Sequence, residues 1–361
     1  MIEEIVITGS SCSDTSAALP IVKRELEKND YHVLINSECA ADMLNAETGQ
    51  NDFKNTDDFV NAAIERYCEN RQLLLKSASR LNHSKVVIIH DRGISDYLSL
   101  TDRDNYRRQI AKFGLTPVVA RDSYGAVFYM LSTAKANHEQ VFSNDTHCKS
   151  STLDDKTLNA WVGHPHLRII DCCGSFDEKI GRLIAEIKGY LGIPRRLEIE
   201  RRFLIRYPDL DRLNRLPNCK KAEIEQIYCV SKGGEPFRIR KRGIGDDCIY
   251  IKTLKRSIND TVREEYEDAI SKDDYGTLSS FADKSRNPII KSRYCLAENG
   301  KYFEIDIFPF WNDRAIFEIE LLDSSEAFDI PDYFDVIKEI TAEKKYRNSA
   351  LAVSVPYENI I

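Results

Sequence analysis

The sequence predicts an α/β domain with a parallel sheet followed by an α+β domain built on an antiparallel sheet. From Met1 to about Gly192, short unbroken apolar runs alternate with long amphipathic stretches, which is the grammar of a parallel sheet covered on both faces. Beyond that point, period-2 alternation takes over and Gly- and Asn-rich turns punctuate it. A chain of 361 residues suits two or three domains, at roughly 150 residues each. The change of grammar falls at Pro194 with the basic pair Arg195 and Arg196, so domains are expected at 1–192 and 196–355.

In the first half, EIVITGSS ends in a small-residue turn, and helical periodicity follows from Ala17 to Lys28. HVLIN (32–36), KVVIIHD (85–91), AVFYMLS (126–132) and LRIID (167–171) read as further buried strands. Thr56 to Leu81 reads as one or two amphipathic helices and Phe176 to Leu191 as another. In the second half, EIERR, FRIRK, IYIKT, VREEYED, IIKSR, YFEIDIF and IFEIEL read as strands. Their turn signals are Gly233-Gly234, Gly243-Ile244-Gly245 and Asn299-Gly300. One or two helices, around Ser271–Ala282 and Tyr333–Glu339, interrupt them.

With 42% hydrophobic and 30% charged residues and a net charge of −7, the composition excludes general disorder. No apolar run approaches the roughly 18 residues that span a bilayer. The opening MIEEIVITGSSCS carries acids where a signal peptide carries bases, so a cytoplasmic chain with no membrane association is expected. Ten cysteines show no C-x-x-C spacing and read as reduced, mostly buried thiols. The acidic balance argues against a general nucleic-acid binder.

Charge parity is the strongest signal. On each β-rich run, charged residues sit two apart and so share one face. They are Glu198, Glu200 and Arg202; Arg238 and Arg240; Lys252; Arg263, Glu265 and Glu267; Lys291 and Arg293; Glu304 and Asp306; and Glu318 and Glu320. Apolar residues such as Ile199, Phe203, Ile239, Ile251, Phe303, Ile305, Phe317 and Ile319 lie between them. A half-solvated sheet gives such alternation too, but solvated strands mix signs, whereas several of these runs are purely acidic or purely basic. If that face turns inward, its like charges need compensation. Divalent metal suits the carboxylates, and a polyanion suits the arginines and lysines.

At these residues the chain resembles the CYTH domain, or triphosphate tunnel metalloenzymes. EIERR at 198–202 is similar to the family's E-x-E-x-K opening, with Arg202 where the family has Lys. R-x-R at Arg238 and Arg240, Lys252, E-x-E at Glu265 and Glu267, and K-x-R at Lys291 and Arg293 follow in order. E-x-D at Glu304 and Asp306, E-x-E at Glu318 and Glu320, and ITAEKKYRN (340–348), with Lys344 or Lys345 as its basic member, complete the set. The resemblance implies an eight-stranded antiparallel β tunnel that hydrolyses a triphosphate with Mg²⁺ or Mn²⁺. It implies Glu198, Glu200, Asp306, Glu318 and Glu320 as metal ligands. Arg238, Arg240, Lys252, Lys291 and Arg293 would hold the polyphosphate, while Arg202, Glu265 and Glu267 would serve the chemistry, with Glu304 a further carboxylate.

In the first half, IVITGSSCSDTSAAL (5–19) has the strand–turn–helix layout of a P-loop. Counting from Gly9, however, Asp14 stands at the second glycine and Thr15 at the lysine of G-x-x-x-x-G-K-[ST]. The rest resembles the P-loop kinase-like domain that precedes CYTH domains in bacterial fusion proteins, through Glu38, then Asp91, Arg92 and Asp96, and the segments 121–130 and 153–171. A degenerate P-loop domain is expected, kept for folding, self-association or a protein partner, or for binding phosphate through Ser10–Ser16 without turnover. His164 and His166 have metal-like spacing but flank Pro165, so a loop role is expected. Trp161 and Trp311 read as core or interface aromatics, and Cys172-Cys173 as small hydrophobes. The expected substrate is inorganic tripolyphosphate or a nucleoside triphosphate. The rival readings are a class IV-type adenylate cyclase and a non-enzymatic phosphate-ligand-binding protein.

Overall fold

The computed structural model describes residues 2–9, 15–37, 56–83, 85–131, 145–171, 175–193, 199–257, 263–322 and 325–356. The chain divides into two compact units, Met1–Glu198 with Ala297–Tyr302, and Ile199–Leu296 with Phe303–Ile361. Among the described residues no helix is long and apolar enough to cross a membrane.

Unit 1 is a five-stranded sheet in the order β2-β3-β1-β4-β5, and its mapped strand pairs are parallel. The strands are β1 Ile2–Gly9, β2 His32–Asn36, β3 Val86–Asp91, β4 Ala126–Met130 and β5 Leu167–Ile170, each at a predicted apolar run. They lack alternation because helices cover both faces: β3 is buried at every position, as is β4. Helices α1 (Thr15–Glu27) and α2 (Thr56–Ala78) follow the predicted periodicities, the latter as one helix of 23 residues. Two short helices, α3 (Arg103–Ala111) and α4 (Pro117–Asp122), and α5 (Asp145–Trp161) are additions to the elements expected from the sequence. Helix α6 (Phe176–Leu191) starts on a capping box, with Ser175 and Glu178 each accepting from the other's backbone N–H, and ends on Gly192 at φ 76°.

Unit 2 holds a sheet in the order β10-β9-β8-β7-β11-β12-β13-β6-β14. Its strands are β6 Ile199–Arg206, β7 Cys219–Val230, β8 Pro236–Ile244, β9 Asp247–Ser257, β10 Arg263–Ile270, β11 Ile289–Glu298, β12 Lys301–Ile307, β13 Arg314–Leu321 and β14 Val336–Glu339. The mapped pairs are all antiparallel. Among the described residues the sheet has nine strands where eight were expected. One of the nine, β14, replaces the helix expected around Tyr333–Glu339. Four residues beginning with β-branched Val336 and Ile337 pair with β6, Val336 opposite Ile205 and Glu339 opposite Phe203. That edge offers unpaired backbone groups, which a single helical turn could not satisfy. The helix expected near Ser271 is α7 (Lys272–Ser279), capped by the Ser271 hydroxyl. Asn299 and Gly300, at φ 52° and 69°, turn β11 into β12, as an Asn-Gly hairpin requires.

One face of this sheet is apolar. Phe203, Ile205, Tyr294, Leu296, Phe303, Ile305, Phe317 and Ile319 form a core there. Further along, Ile227, Phe237, Ile239 and Tyr275 pack with Tyr250 and Leu254. The other face carries the charges.

Candidate functional site

Directly opposed residues on adjacent strands share a face, so register decides which predicted residues meet. On β12, β13 and β6, Glu304 stands opposite Glu318, Glu318 opposite Arg202, and Glu320 opposite Glu200. Asp306, opposite Ile316, is on the same face. Across β11, β7 and β8, Lys291 and Arg242 both stand opposite Ile224, and Arg293 stands opposite Ala222. Arg240 and Arg238 stand opposite Gln226 and Tyr228. Arg238 in turn faces Thr253, which faces Glu267. The register thus collects an acidic wall at one side of the sheet and a basic wall at the other.

Lys252 is not brought to this face. It stands opposite Ile239, and its ammonium lies 5.4 Å from the centroid of Phe237, on the apolar side. The basic β9 residue whose register position falls on the charged face is Lys255, opposite Glu265. Glu265 holds the same face by register, and Glu198 lies outside the described residues. Further residues of the face escaped the sequence reading. Arg242 continues the two-residue spacing of Arg238 and Arg240 and was findable by parity. Gln226 and Tyr228 sit on β7, and Thr253 is uncharged.

The acidic wall is cross-braced by cations. Arg202 donates from Nε to Glu318 Oε1 at 2.7 Å, pairs with Glu200 at 3.1 Å, and donates to the Tyr346 carbonyl at 3.0 Å. Arg293 forks onto Asp306, with Nε to Oδ1 and Nη2 to Oδ2 both at 2.6 Å, and reaches Glu318 Oε2 at 2.8 Å and also Glu304. Lys291 pairs with Asp306 as well. Burial opposes ionisation of Asp306, but Arg293 and Lys291 outweigh it and hold its carboxyl well below the usual range. Burial and the Arg293 charge pull Lys291 downward against the pull of Asp306. Glu200 is the exception on this wall. Desolvation, then the Glu318 carboxylate, push it up to about 7, although 42% of its side chain stays open to solvent.

The basic wall is less well matched. Arg238 donates to Glu267 Oε1 at 3.1 Å and to Thr253 Oγ1 at 3.2 Å, and the threonine donates on to Glu267 at 2.9 Å. Burial works against the Glu267 carboxylate, but Arg240 and Arg238 lower it below the usual range. Gln226 donates to the Tyr228 hydroxyl at 2.7 Å. Arg240 has no hydrogen bond or ion pair among the described residues. Burial, then Arg238, drag its guanidinium down to about 10, with Arg293 and Arg242 adding to the repulsion. The Glu267 carboxylate opposes that shift as a charge, without a hydrogen bond to the guanidinium.

Metal fits only part of the expected set. Both oxygens of Asp306 are taken by Arg293 and Lys291, so it braces the wall and is poorly placed to ligate. Among the described residues no group of three or more His, Cys, Asp and Glu is arranged to hold a metal ion. Glu200, Glu318 and Glu320 remain together by register, and the crowding that lifts Glu200 is what a divalent cation would relieve. Beyond them on the same face, Leu204, Ile289, Phe308 and Ile316 pack with Ile340, Tyr346 and Leu351 of the C-terminal segment into an apolar cluster.

Unit 1 carries the remaining predicted positions. Ser10–Asp14 and Glu38 lie outside the described residues. Asp96 is buried and accepts from Thr8, Trp161 and the Gly93 N–H at 2.8, 2.8 and 2.6 Å. Arg92, at φ 63°, donates to the Gly9 carbonyl at 2.8 Å. His164 is buried, with Nε2 3.0 Å from the Tyr124 carbonyl oxygen and Nδ1 accepting from the His166 N–H. That geometry makes it a loop brace.

Together the fold and the charged face define an antiparallel-sheet protein built to hold opposite charges on one wall. No family model matches the chain. A curated inorganic triphosphatase of Nitrosomonas europaea is 32% identical over 164 residues, spanning 44% of this chain and 99% of that protein. The chain therefore belongs, over that stretch, to the inorganic triphosphatase family with its CYTH-type tunnel fold. The crystal structure of an inorganic triphosphatase is 28% identical, with 45% of this chain and 97% of that one covered at a TM-score of 0.33. A thymidylate kinase from Candida albicans is 16% identical, with 52% and 90% covered at a TM-score of 0.35.

Proposed function

We propose that unit 2 is a metal-dependent triphosphatase acting on inorganic tripolyphosphate or a nucleoside triphosphate. The observation that carries this reading is Arg240, a guanidinium that makes no hydrogen bond among the described residues, on the face that also bears the acidic wall. Arg240 and Arg238 would grip phosphate oxygens through their planar forks, with Lys291 and Arg293 fixing the acidic side. Glu200, Glu318 and Glu320, with Glu198, would hold Mg²⁺ or Mn²⁺, which supplies Lewis-acid polarisation when bound. Water attacks the terminal phosphorus and loses a proton to solvent, the P–O bond to the bridging oxygen breaks with its electron pair leaving on pyrophosphate or the nucleoside diphosphate, and the transferred group is released as orthophosphate. The charge that develops on the phosphate oxygens falls among the fixed guanidinium groups. We read unit 1 as a P-loop kinase-like domain without catalytic duty, because Asp14 and Thr15 replace the second glycine and the lysine.

Phosphate release from tripolyphosphate, ATP and GTP, measured with Mg²⁺ or Mn²⁺ and with EDTA, tests this. The reading expects release that requires metal and falls at least about 100-fold in a Glu198→Gln, Glu200→Gln double variant. No release from any of the three by a folded protein refutes it.

A further inference from the structure

One acid of the charged face stands on the wrong wall for metal. Glu267, on β10, is surrounded by bases: Arg238 at 3.1 Å, the Thr253 hydroxyl at 2.9 Å, and Arg240 as its largest stabilising charge. Its neighbour by register is Thr253, and through it Arg238, not Glu200, Glu318 or Glu320. Its side chain remains 36% open, so the contact with Arg238 can be exchanged. Arg238 is therefore hydrogen-bonded to an acid of the protein, while Arg240 beside it feels the same carboxylate as a charge and makes no hydrogen bond among the described residues.

We propose that Glu267 is a built-in counter-ion of the anion seat: its carboxylate takes the ground beside Arg238 that a phosphate oxygen would take, and so sets how strongly the face accepts a triphosphate carrying no cation. This rests on the reading of the face as a triphosphate site. A polyanion that reaches Arg238 must displace the carboxylate or lie against it, and like charges at that range repel by more than screening removes. A triphosphate already neutralised by a divalent cation meets much less of that repulsion. Glu267 thus makes the face selective for the metal-complexed form, a specificity-determining role rather than a ligand's role.

The test is calorimetric titration of the full chain with tripolyphosphate, in EDTA and again in excess Mg²⁺, at one ionic strength. In EDTA, Glu267→Gln is expected to tighten binding by about tenfold. Glu267→Asp, which keeps the charge, stays within about threefold of the unaltered protein. In Mg²⁺ the advantage of the amide shrinks below about threefold. Glu267→Ala carries the same expectation should the amide variant fail to fold. Equal or weaker binding by Glu267→Gln in EDTA overturns the proposal, as does a failure of every form to bind tripolyphosphate. Failure of the triphosphatase reading shows separately, as absent phosphate release by a protein that still binds more tightly once Glu267 is neutralised.

Discussion

The two sheets of this chain treat buried charge in opposite ways. In unit 1, Glu4 on β1 accepts from Arg71 at 2.7 and 2.9 Å and lies 3.0 Å from His90 Nε2. His90 Nδ1 meets the Tyr67 hydroxyl at 2.8 Å, and Tyr67 meets Tyr124 at 2.7 Å. Burial keeps His90 below its ordinary value despite Glu4, so the ring is neutral and its Nε2–H donates to the carboxylate. Each of these groups spends its hydrogen bonds on another. In unit 2, Asp306 and Arg293 are matched just as closely, but Arg240 is unmatched and Glu200 is lifted to about 7. Matched charge is structure, and leftover charge is where a ligand enters the balance.

That contrast can be broken from either side. Each unit has its own reporter, Trp161 in the first and Trp311 in the second, and the chain has two tryptophans. The largest effect should come from Arg293→Gln, which leaves Asp306, Glu304 and Glu318 without their shared cation. Loss of about 3–5 kcal/mol is expected in unit 2, read from denaturant unfolding by Trp311 emission in a Trp161→Phe background. A loss under about 1 kcal/mol would mean that Arg293 braces nothing.

Next comes Glu4→Gln, expected to remove about 3 kcal/mol from unit 1 and leave phosphate release intact. Burial raises the Glu4 carboxyl, but His90 and Arg71 outweigh it and bring it from 4.5 to about 2. A depressed carboxyl stabilises the fold fully above the unfolded value, so this stability is present above pH 4.5 and lost as pH falls through about 2. Acid titration of Trp161 emission should show that decline in the unaltered protein and a flatter curve in the variant.

The sequence made the two grammars visible, because helix-covered strands read as apolar runs and one-sided strands alternate. It made Arg202, Arg238, Arg240, Lys291, Arg293, Asp306 and Glu318 visible as a set, because parity within a strand survives folding. What it hid were facts of register. Parity cannot say that Lys252 stands opposite Ile239, since that depends on how β9 pairs with β8. Strand β7 escaped because three of its charges, Lys221, Glu223 and Glu225, have the opposite parity, and what it brings to that face beside Arg238 and Arg240 is uncharged Gln226 and Tyr228. Strand β14 escaped because four residues acquire strand structure only from the edge they join. The lift of Glu200 is likewise cross-strand, arising from Glu318 on β13.

The central claim is that Arg240, which makes no hydrogen bond among the described residues, is kept to hold a polyphosphate. Tripolyphosphate affinity by calorimetry, measured beside the thermal midpoint for Arg240→Gln, addresses it most directly. The account predicts that affinity falls by about 100-fold or more. The midpoint should shift little, since the substitution relieves the repulsion from Arg238, Arg293 and Arg242 while giving up the attraction to Glu267. Unchanged affinity, or a protein that unfolds without Arg240, would contradict it.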